Sequence, residues 1–285
     1  MRKNDSIVSR RILENNTLEI IQDEDFFKLV FYSDSFLGEY GNFIISDILK
    51  KEEEFKTNIR ISESIRDKYL SILYNIIKKL PSKYKSSFNN IFFLTVKMTD
   101  KLINILKKKI NSKYLQLIYY GSICLAYKFE TQMFIEYSWI KNKIKDCIIN
   151  EKELLDFEWK IHKLLNYNYI IPSPHDFLKI YEYIDETDSN KELDNLCKFL
   201  INFALFINSL AEQKISLMTL TIYYFAKYKL TKKFHWSNQI QFLIGYDKDT
   251  IIINIKKFIK IIKNNYHIYS KLLVNDFNNI NNINN

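Results

Sequence analysis

Four histidines, His162, His175, His235 and His267, are the first residues to test for chemistry. None stands in an H-E-x-x-H pattern or beside a nucleophile motif, so neither a zinc hydrolase nor a His-activated nucleophile is indicated. Glu151 and Glu153 open an apolar helical pattern and read as surface charges at its positive end. Cys124, Cys147 and Cys197 form no C-x-x-C and are odd in number. They read as buried free thiols in a reducing compartment. The four glycines, Gly38, Gly41, Gly121 and Gly245, cannot build a G-x-G-x-x-G or Walker loop. The sequence therefore indicates no catalytic set, no cofactor and no metal site. What remains is a misplaced charge. From Asn150 the inward stripe runs Leu154, Leu155, Glu158, Ile161, Leu165. A carboxylate in such a stripe needs a partner, and Lys128 is the natural one. Two readings stay open. An internal salt bridge that fixes helix packing is favoured on physics alone; alternatively a partly exposed pair holds polar groups of another molecule.

Lys128 ends the stretch that must position it. Between Lys113 and Lys128 there is no charge, and the interior is apolar nearly all round. That pattern predicts a buried helix. The tyrosines, Gln116, Ser122 and the terminal charges place it at the centre of a helical bundle and not across a bilayer. A mid-helix glycine costs about 1 kcal/mol relative to Ala. Gly121, with Ser122 beside it, implies close approach of neighbouring helices as the offsetting gain. Lys128 also suits the negative end of the helix dipole.

The flanking pattern is helical throughout. Only four glycines and three prolines occur in 285 residues, which argues for long helices with few tight turns. Helices are predicted at 39–50, 62–80, 87–108, 113–130, 134–144 and 150–165. A second series follows at 174–184, 191–209, 215–230, 237–243 and 248–264. Pro172 and Pro174 keep Ile171 and Ser173 extended, and Ser173-Pro174 is an N-cap followed by Pro at the first helical position. Gly245 is placed as the glycine that ends a helix. The 215–230 segment has its own apolar middle, so a five-helix pattern occurs twice around a buried third helix. The reading is all-α: two tandem five-helix folds with an additional N-terminal helix. Residues 1–38 form a flexible arm, 39–168 the first fold with its leading helix, 169–270 the second, and 271–285 an Asn-rich tail.

The amino terminus lacks an apolar signal core and no stretch is a convincing membrane span, so a soluble intracellular protein is expected. The net charge of +9 keeps nucleic acid as a weak alternative partner, but the abundance of Lys, Asn, Ile and Tyr has the look of AT-rich coding bias. Arg10-Arg11-Ile12-Leu13 has the R-x-x-L form of some degradation signals.

Several short motifs, in order and at consistent spacing, resemble the cyclin family. Leu125-Ala126-Tyr127-Lys128-Phe129-Glu130 is similar to the cyclin L-A-S-K-[FY]-E-E signature. Asp100-Lys101-Leu102-Ile103 resembles the D-R-F-L ending of the preceding helix. The segment from Glu153 to Glu158 resembles that holding the second signature residue, a Glu. Pro172 to Leu178 resembles the P-T-P-x-x-F-L junction between the two cyclin boxes. Trp236 with Gly245-Tyr246 resembles the late W…G-Y pattern of A- and B-type cyclins, and Glu39-Tyr40 through Ile44 the E-Y-x-x-x-I start of their leading helix. The resemblance covers about residues 39–270.

The resemblance implies a regulatory subunit, not an enzyme. It would form a heterodimer with a cyclin-dependent protein kinase and activate it in cell-cycle control, in nucleus and cytoplasm. Lys128 and Glu158 would hold main chain near the kinase's regulatory helix. Leu125, Phe129, His162, Tyr167 and Tyr169 would flank them, with Tyr40 and Ile44 on the leading helix. A substrate-docking patch would use Ile65, Arg66, Tyr69 and Ile72 and take R-x-L peptides of substrates or inhibitors. Two departures stand there: Ser71 replaces the Asp expected to pair with Arg66, and Lys68 falls where an apolar residue is expected. His162 stands where cyclins usually have Leu. The alternatives are a transcriptional cyclin and a cyclin-fold transcription factor that binds DNA.

Overall fold

In the computed structural model the described residues are 37–56, 58–80, 87–106, 110–144, 147–185 and 190–281. Among them every regular element is a helix. The chain divides into two compact units, Met1–Ile45 and Ser46–Asn285. The described part of the first is the opening of helix α1 (Leu37–Glu54). The R-x-x-L stretch at Arg10 lies outside the described residues.

The second unit carries two successive sets of five helices. The first set is α2 (Glu63–Lys78), α3 (Phe88–Leu106), α4 (Ser112–Thr131), α5 (Tyr137–Lys143) and α6 (Glu151–Leu164). The second is α7 (Pro174–Ile184), α8 (Lys191–Phe206), α10 (Ile215–Thr231), α11 (Asn238–Ile244) and α12 (Lys248–Asn281), with the one-turn α9 (Asn208–Ala211) inserted. The tandem five-helix architecture expected from the sequence is present.

Helix α4 is the hub of the first set. Leu115 through Tyr127 are all buried, and α4 packs chiefly on α3 and α6. Gly121 sits where α6 crosses. A Cβ built there would lie 2.7 Å from Ile161 Cδ1 and 3.5 Å from Phe157 Cδ1. The glycine is thus explained by close approach. An alanine regains about 1 kcal/mol of helix propensity while pushing only the flexible tip of Ile161. Gly121→Val adds branched bulk that this gain does not offset, and overpacking of this kind costs about 1–3 kcal/mol. Its urea unfolding midpoint is expected to fall; an unchanged midpoint would mean that α6 does not need the close contact.

Helix α10 plays the same part in the second set. It is buried from Met218 to Ala226 and contacted by α7, α8 and α12. The two sets meet where α8 lies on α3 and α2. An aromatic cluster fills that junction, with Phe92 and Tyr74 5.7 and 6.0 Å from Phe206 between ring centroids.

Local signals set the helix ends. Asn150 and Ser173 both form capping boxes, closed by Glu153 and Asp176. Gly245 ends α11 at φ 85°, its N–H donating to the Gln241 carbonyl. Two expectations need correction. A helix of this kind is expected to bury one stripe, yet in α3 every residue from Ile91 to Asp100 is buried, because α4 covers one side and α8 another. α12 continues past Asn264 to Asn281. No Gly or Pro follows Gly245 to stop it.

Candidate functional site

Cys124 and Lys128 are one turn apart on α4, and both reach Glu158 on α6. Lys128 forms the ion pair with Glu158 that the apolar stripe demanded. The Glu158 side chain is buried, whereas that of Lys128 is 38% exposed. The pair is therefore asymmetric: a sheltered carboxylate under a cation that keeps donors free toward solvent. Burial pushes the Cys124 thiol well above its ordinary range, and the neighbouring Glu158 carboxylate adds to this. The thiol is inert packing beneath the pair.

Beside the pair lies a continuous set of rings. His162 is one turn beyond Glu158 on α6. It stacks with Tyr167 (centroids 5.8 Å apart, 16° between planes) and meets Tyr169 edge-on at 5.3 Å. Trp159 lies 5.8 Å from His162, and Phe129 6.4 Å from Tyr169. The Tyr169 hydroxyl bonds His162 Nδ1. Burial lowers the His162 pKa, partly opposed by Glu158, and raises that of Tyr169 to about 12. Both shifts disfavour charge here, the imidazolium on one side and the phenolate on the other, so the contact joins two groups held neutral.

The backbone presents these rings deliberately. Asn166 and Tyr167 both adopt left-handed conformations, at φ 49° and 56°. The Tyr167 N–H donates to the His162 carbonyl, closing the end of α6. A bulky residue at positive φ is costly and persists where surrounding structure over-determines it. Here it turns Tyr167 outward, 61% exposed, over the face of His162.

Of the residues singled out in sequence, Lys128, Glu158, Phe129, His162, Tyr167 and Tyr169 come together on this face. Leu125 lies in the core of the same region with almost no surface. Tyr40 and Ile44 lie one turn apart on α1, within the first unit. The stripe assigned to α6 needs correction: Leu155 is 50% exposed, and Phe157 takes the inward place. The inward line is 154, 157, 158, 161 and 165, which Phe157 and Ile161 fix by packing at Gly121. Leu155 is on the outer side with Trp159, which is 65% exposed and was missed. Their i, i+4 spacing was the available signal.

The four residues of the expected docking patch do not share one surface. Ile65 is exposed, Ile72 half-buried, and Tyr69 is nearly covered and stacked on Tyr119 at 4.6 Å. Arg66 is wholly buried. Its Nε and Nη2 donate to Asp100 at 3.1 and 2.8 Å, and Nη1 to the Leu205 carbonyl at 2.8 Å. The serine at position 71 therefore leaves nothing unpaired, since the carboxylate comes from α3. Arg66 joins the two helical sets and takes no part in a surface.

The cyclin N-terminal domain model matches residues 44–170, and the cyclin C-terminal domain model matches residues 172–284. The chain belongs to the cyclin family. Among plant relatives, Cyclin-B2-2 of Arabidopsis thaliana is 24% identical over 197 residues, 69% of this chain and 44% of that protein. G2/mitotic-specific cyclin-2 of Medicago sativa is 24% identical over 160 residues, covering 56% of this chain and 47% of that one. This chain thus spans less than half the length of these relatives. A viral cyclin from herpesvirus saimiri has the same fold, with a TM-score of 0.61 at 15% identity over 75% of this chain and 94% of its own.

The two cyclin boxes are not equivalent at the pair. α4 and α10 both end on a left-handed residue, Gln132 and Lys232. The Gln132 N–H caps the Lys128 carbonyl and the Lys232 N–H caps the Tyr228 carbonyl, so Tyr228 holds the place in the second box that Lys128 holds in the first. Lys227 instead turns to Asp185 at the end of α7. The ion pair and its ring of aromatics belong to the first box.

Proposed function

We propose that this cyclin binds a cyclin-dependent protein kinase through the first-box face built around Lys128 and Glu158, and activates it. The observation that carries the reading is the asymmetric pair. A merely structural bridge at this position would be served by burying both charges or exposing both. Instead Glu158 is sheltered, Lys128 keeps donors toward solvent, and Phe129, Trp159 and Tyr167 stand exposed around them. Charge-assisted bonds to main chain, ringed by aromatic anchors, make a strong and specific contact. Lys128 would donate to kinase carbonyls, and Glu158 would accept from a kinase N–H. Held there, the kinase's regulatory helix would be fixed inward, completing its internal Lys–Glu ion pair. In this role the chain supplies no catalytic group of its own.

The test is co-precipitation with cyclin-dependent kinases, followed by a phosphorylation assay, using wild type and Lys128→Ala/Glu158→Ala. Removing both charges together leaves neither buried alone, so the helical circular dichroism should be retained. Kinase association is expected to weaken at least about tenfold, because groups of a partly desolvated polar contact lose their partners. Normal association by the double variant would remove these residues from the interface. Salt-dependent duplex binding with no kinase association would instead favour the DNA-binding alternative.

A further inference from the structure

The positive charge of the chain is not spread evenly. Between Ala226 and Ile268 nine lysines and two aspartates place seven of its nine net positive charges in 43 of 285 residues. Coding bias would scatter lysines along the chain and leaves this concentration unexplained. Among the described residues only Lys227 of the nine is in an ion pair, with Asp185. Elsewhere several surface lysines are matched, as Lys51 is by Asp47 and Lys113 by Glu153. Four of the unmatched lysines share one side of α12. Lys256, Lys260 and Lys263 recur at i, i+4 and i+7 with Lys257 beside them, all exposed, opposite the buried Ile251 and Phe258. The apolar side of α12 is occupied: it packs on α10 and α8, with Phe258 5.7 Å from Phe225 between ring centroids. Two more lysines stand over rings at this packing. The Lys229 ammonium lies 5.8 Å from the centroid of Phe225, and that of Lys248 5.9 Å from Phe234, which packs on Tyr224 of α10.

We infer that the outer face of α12 around Lys256, Lys257, Lys260 and Lys263 binds the phosphate backbone of duplex DNA without reading its bases. The inference goes beyond the kinase reading and does not depend on it. Along the about 10 Å from Lys256 to Lys263 a duplex offers roughly six phosphates, so the four ammonium groups face an excess of anions. No arginine follows Arg66 in the chain. Lysines act on phosphate as point charges, without the fork that reads guanine edges. Contacts of this kind hold a protein on the duplex and carry no sequence information. Other anionic partners fit less well. A membrane-surface helix turns its apolar side to lipid, and here that side is packed within the fold. A single strand needs free aromatic faces for its bases, yet Phe258 is buried and Phe234 packs on Tyr224 and Lys248. An acidic protein segment needs an apolar anchor beside its charges, and no large hydrophobic side chain is exposed from Lys256 to Lys263.

The test is fluorescence anisotropy of the full chain with a labelled DNA duplex of ~20 base pairs. Four phosphate contacts predict a slope of about −3.6 in log K against log salt, a loss of about a hundredfold between about 50 and 200 mM. Two duplexes of unrelated sequence should bind alike. Lys256→Gln/Lys260→Gln, two exposed changes, should roughly halve the slope and weaken binding at low salt at least about tenfold. Lys68→Gln/Lys79→Gln removes the same charge from an exposed site in the first box and should leave the slope nearly unchanged. Kinase association should survive Lys256→Gln/Lys260→Gln, and duplex binding should survive Lys128→Ala/Glu158→Ala, so the two readings fail separately. No duplex binding at low salt, an equal loss from both lysine pairs, a strong preference for one duplex sequence, or tighter binding to phosphatidylserine vesicles than to duplex would overturn the inference.

Discussion

Arg66→Ala is expected to remove about 3–5 kcal/mol of folding stability, the cost of breaking a buried ion pair by deleting one partner. The guanidinium is wholly inaccessible, and each of its three nitrogens donates. Two nitrogens hold both oxygens of Asp100, and the third bonds the Leu205 and Phe206 carbonyls at 2.8 and 3.3 Å. Those carbonyls end α8, where the helix dipole is negative. The side chain therefore neutralises α3 and the end of α8 at once, tying the first box to the second. Alanine leaves a buried carboxylate and two carbonyls facing a void. Against a typical total of about 5–15 kcal/mol, such a loss is a large share of the stability. Arg66→Lys should recover little, since an ammonium cannot reproduce the fork. Arg66→Met with Asp100→Leu should recover part of it, because the uncompensated carboxylate is gone while the Leu205 and Phe206 carbonyls still lack their donor. Urea unfolding of the four proteins reads this directly. A loss under about 1 kcal/mol for Arg66→Ala would show that water or rearrangement satisfies Asp100.

The same residue shows what a sequence does and does not reveal. Position 66 looked like part of a surface patch because its neighbours in the chain resembled one, and Ser71 looked like a lost partner. The true partner, Asp100, lies on the next helix, and its approach depends on how α2 crosses α3. Spacing along one helix cannot report that crossing. Glu158 was legible for the opposite reason. A carboxylate inside an apolar stripe is an anomaly of one helix, and Lys128 ends the helix apolar enough to lie at the centre of the first set. Gly121 was legible too, since a mid-helix glycine needs a packing reason and Ile161 provides it. Trp159 and Leu155 were not assigned correctly, because Leu154 and Leu155 are adjacent and the sequence alone does not say which of them faces in. Cap residues such as Asn150, Ser173 and Gly245 were read at once, as their chemistry is local. The burial of α3 on all sides is not legible because it comes from α8, contributed by the second box, and with it a second buried cation.

That cation is Lys97. It is 3% exposed, and its ammonium donates to the Ala211 carbonyl at 2.6 Å. Burial lowers its pKa to about 8, opposed by Asp100, Glu52 and Glu212 and reinforced by Arg66. In the unfolded chain the same group titrates near 10.5. Below pH 8 both states hold the proton, and the folded state bears the full cost of the buried charge. Between pH 8 and 10.5 the unfolded state holds one more proton than the folded state, so this group makes stability rise with pH. At about 1.4 kcal/mol per pKa unit the total change is about 3 kcal/mol. Lys97→Met keeps the bulk and removes the charge. At pH 7 two effects oppose each other in that variant. Relief from charge burial favours it by about 3 kcal/mol, and an unsatisfied Ala211 carbonyl costs about 1–3 kcal/mol. The net change there is small and not diagnostic. The pH dependence is diagnostic, because tyrosine and cysteine ionisations common to both proteins cancel in the difference. Urea unfolding at pH 7, 8, 9 and 10 under reducing conditions should show wild type gaining on Lys97→Met at each step above pH 8. A stability difference that stays constant across that range would mean that Lys97 keeps an ordinary pKa and that water reaches it at the junction of the two boxes.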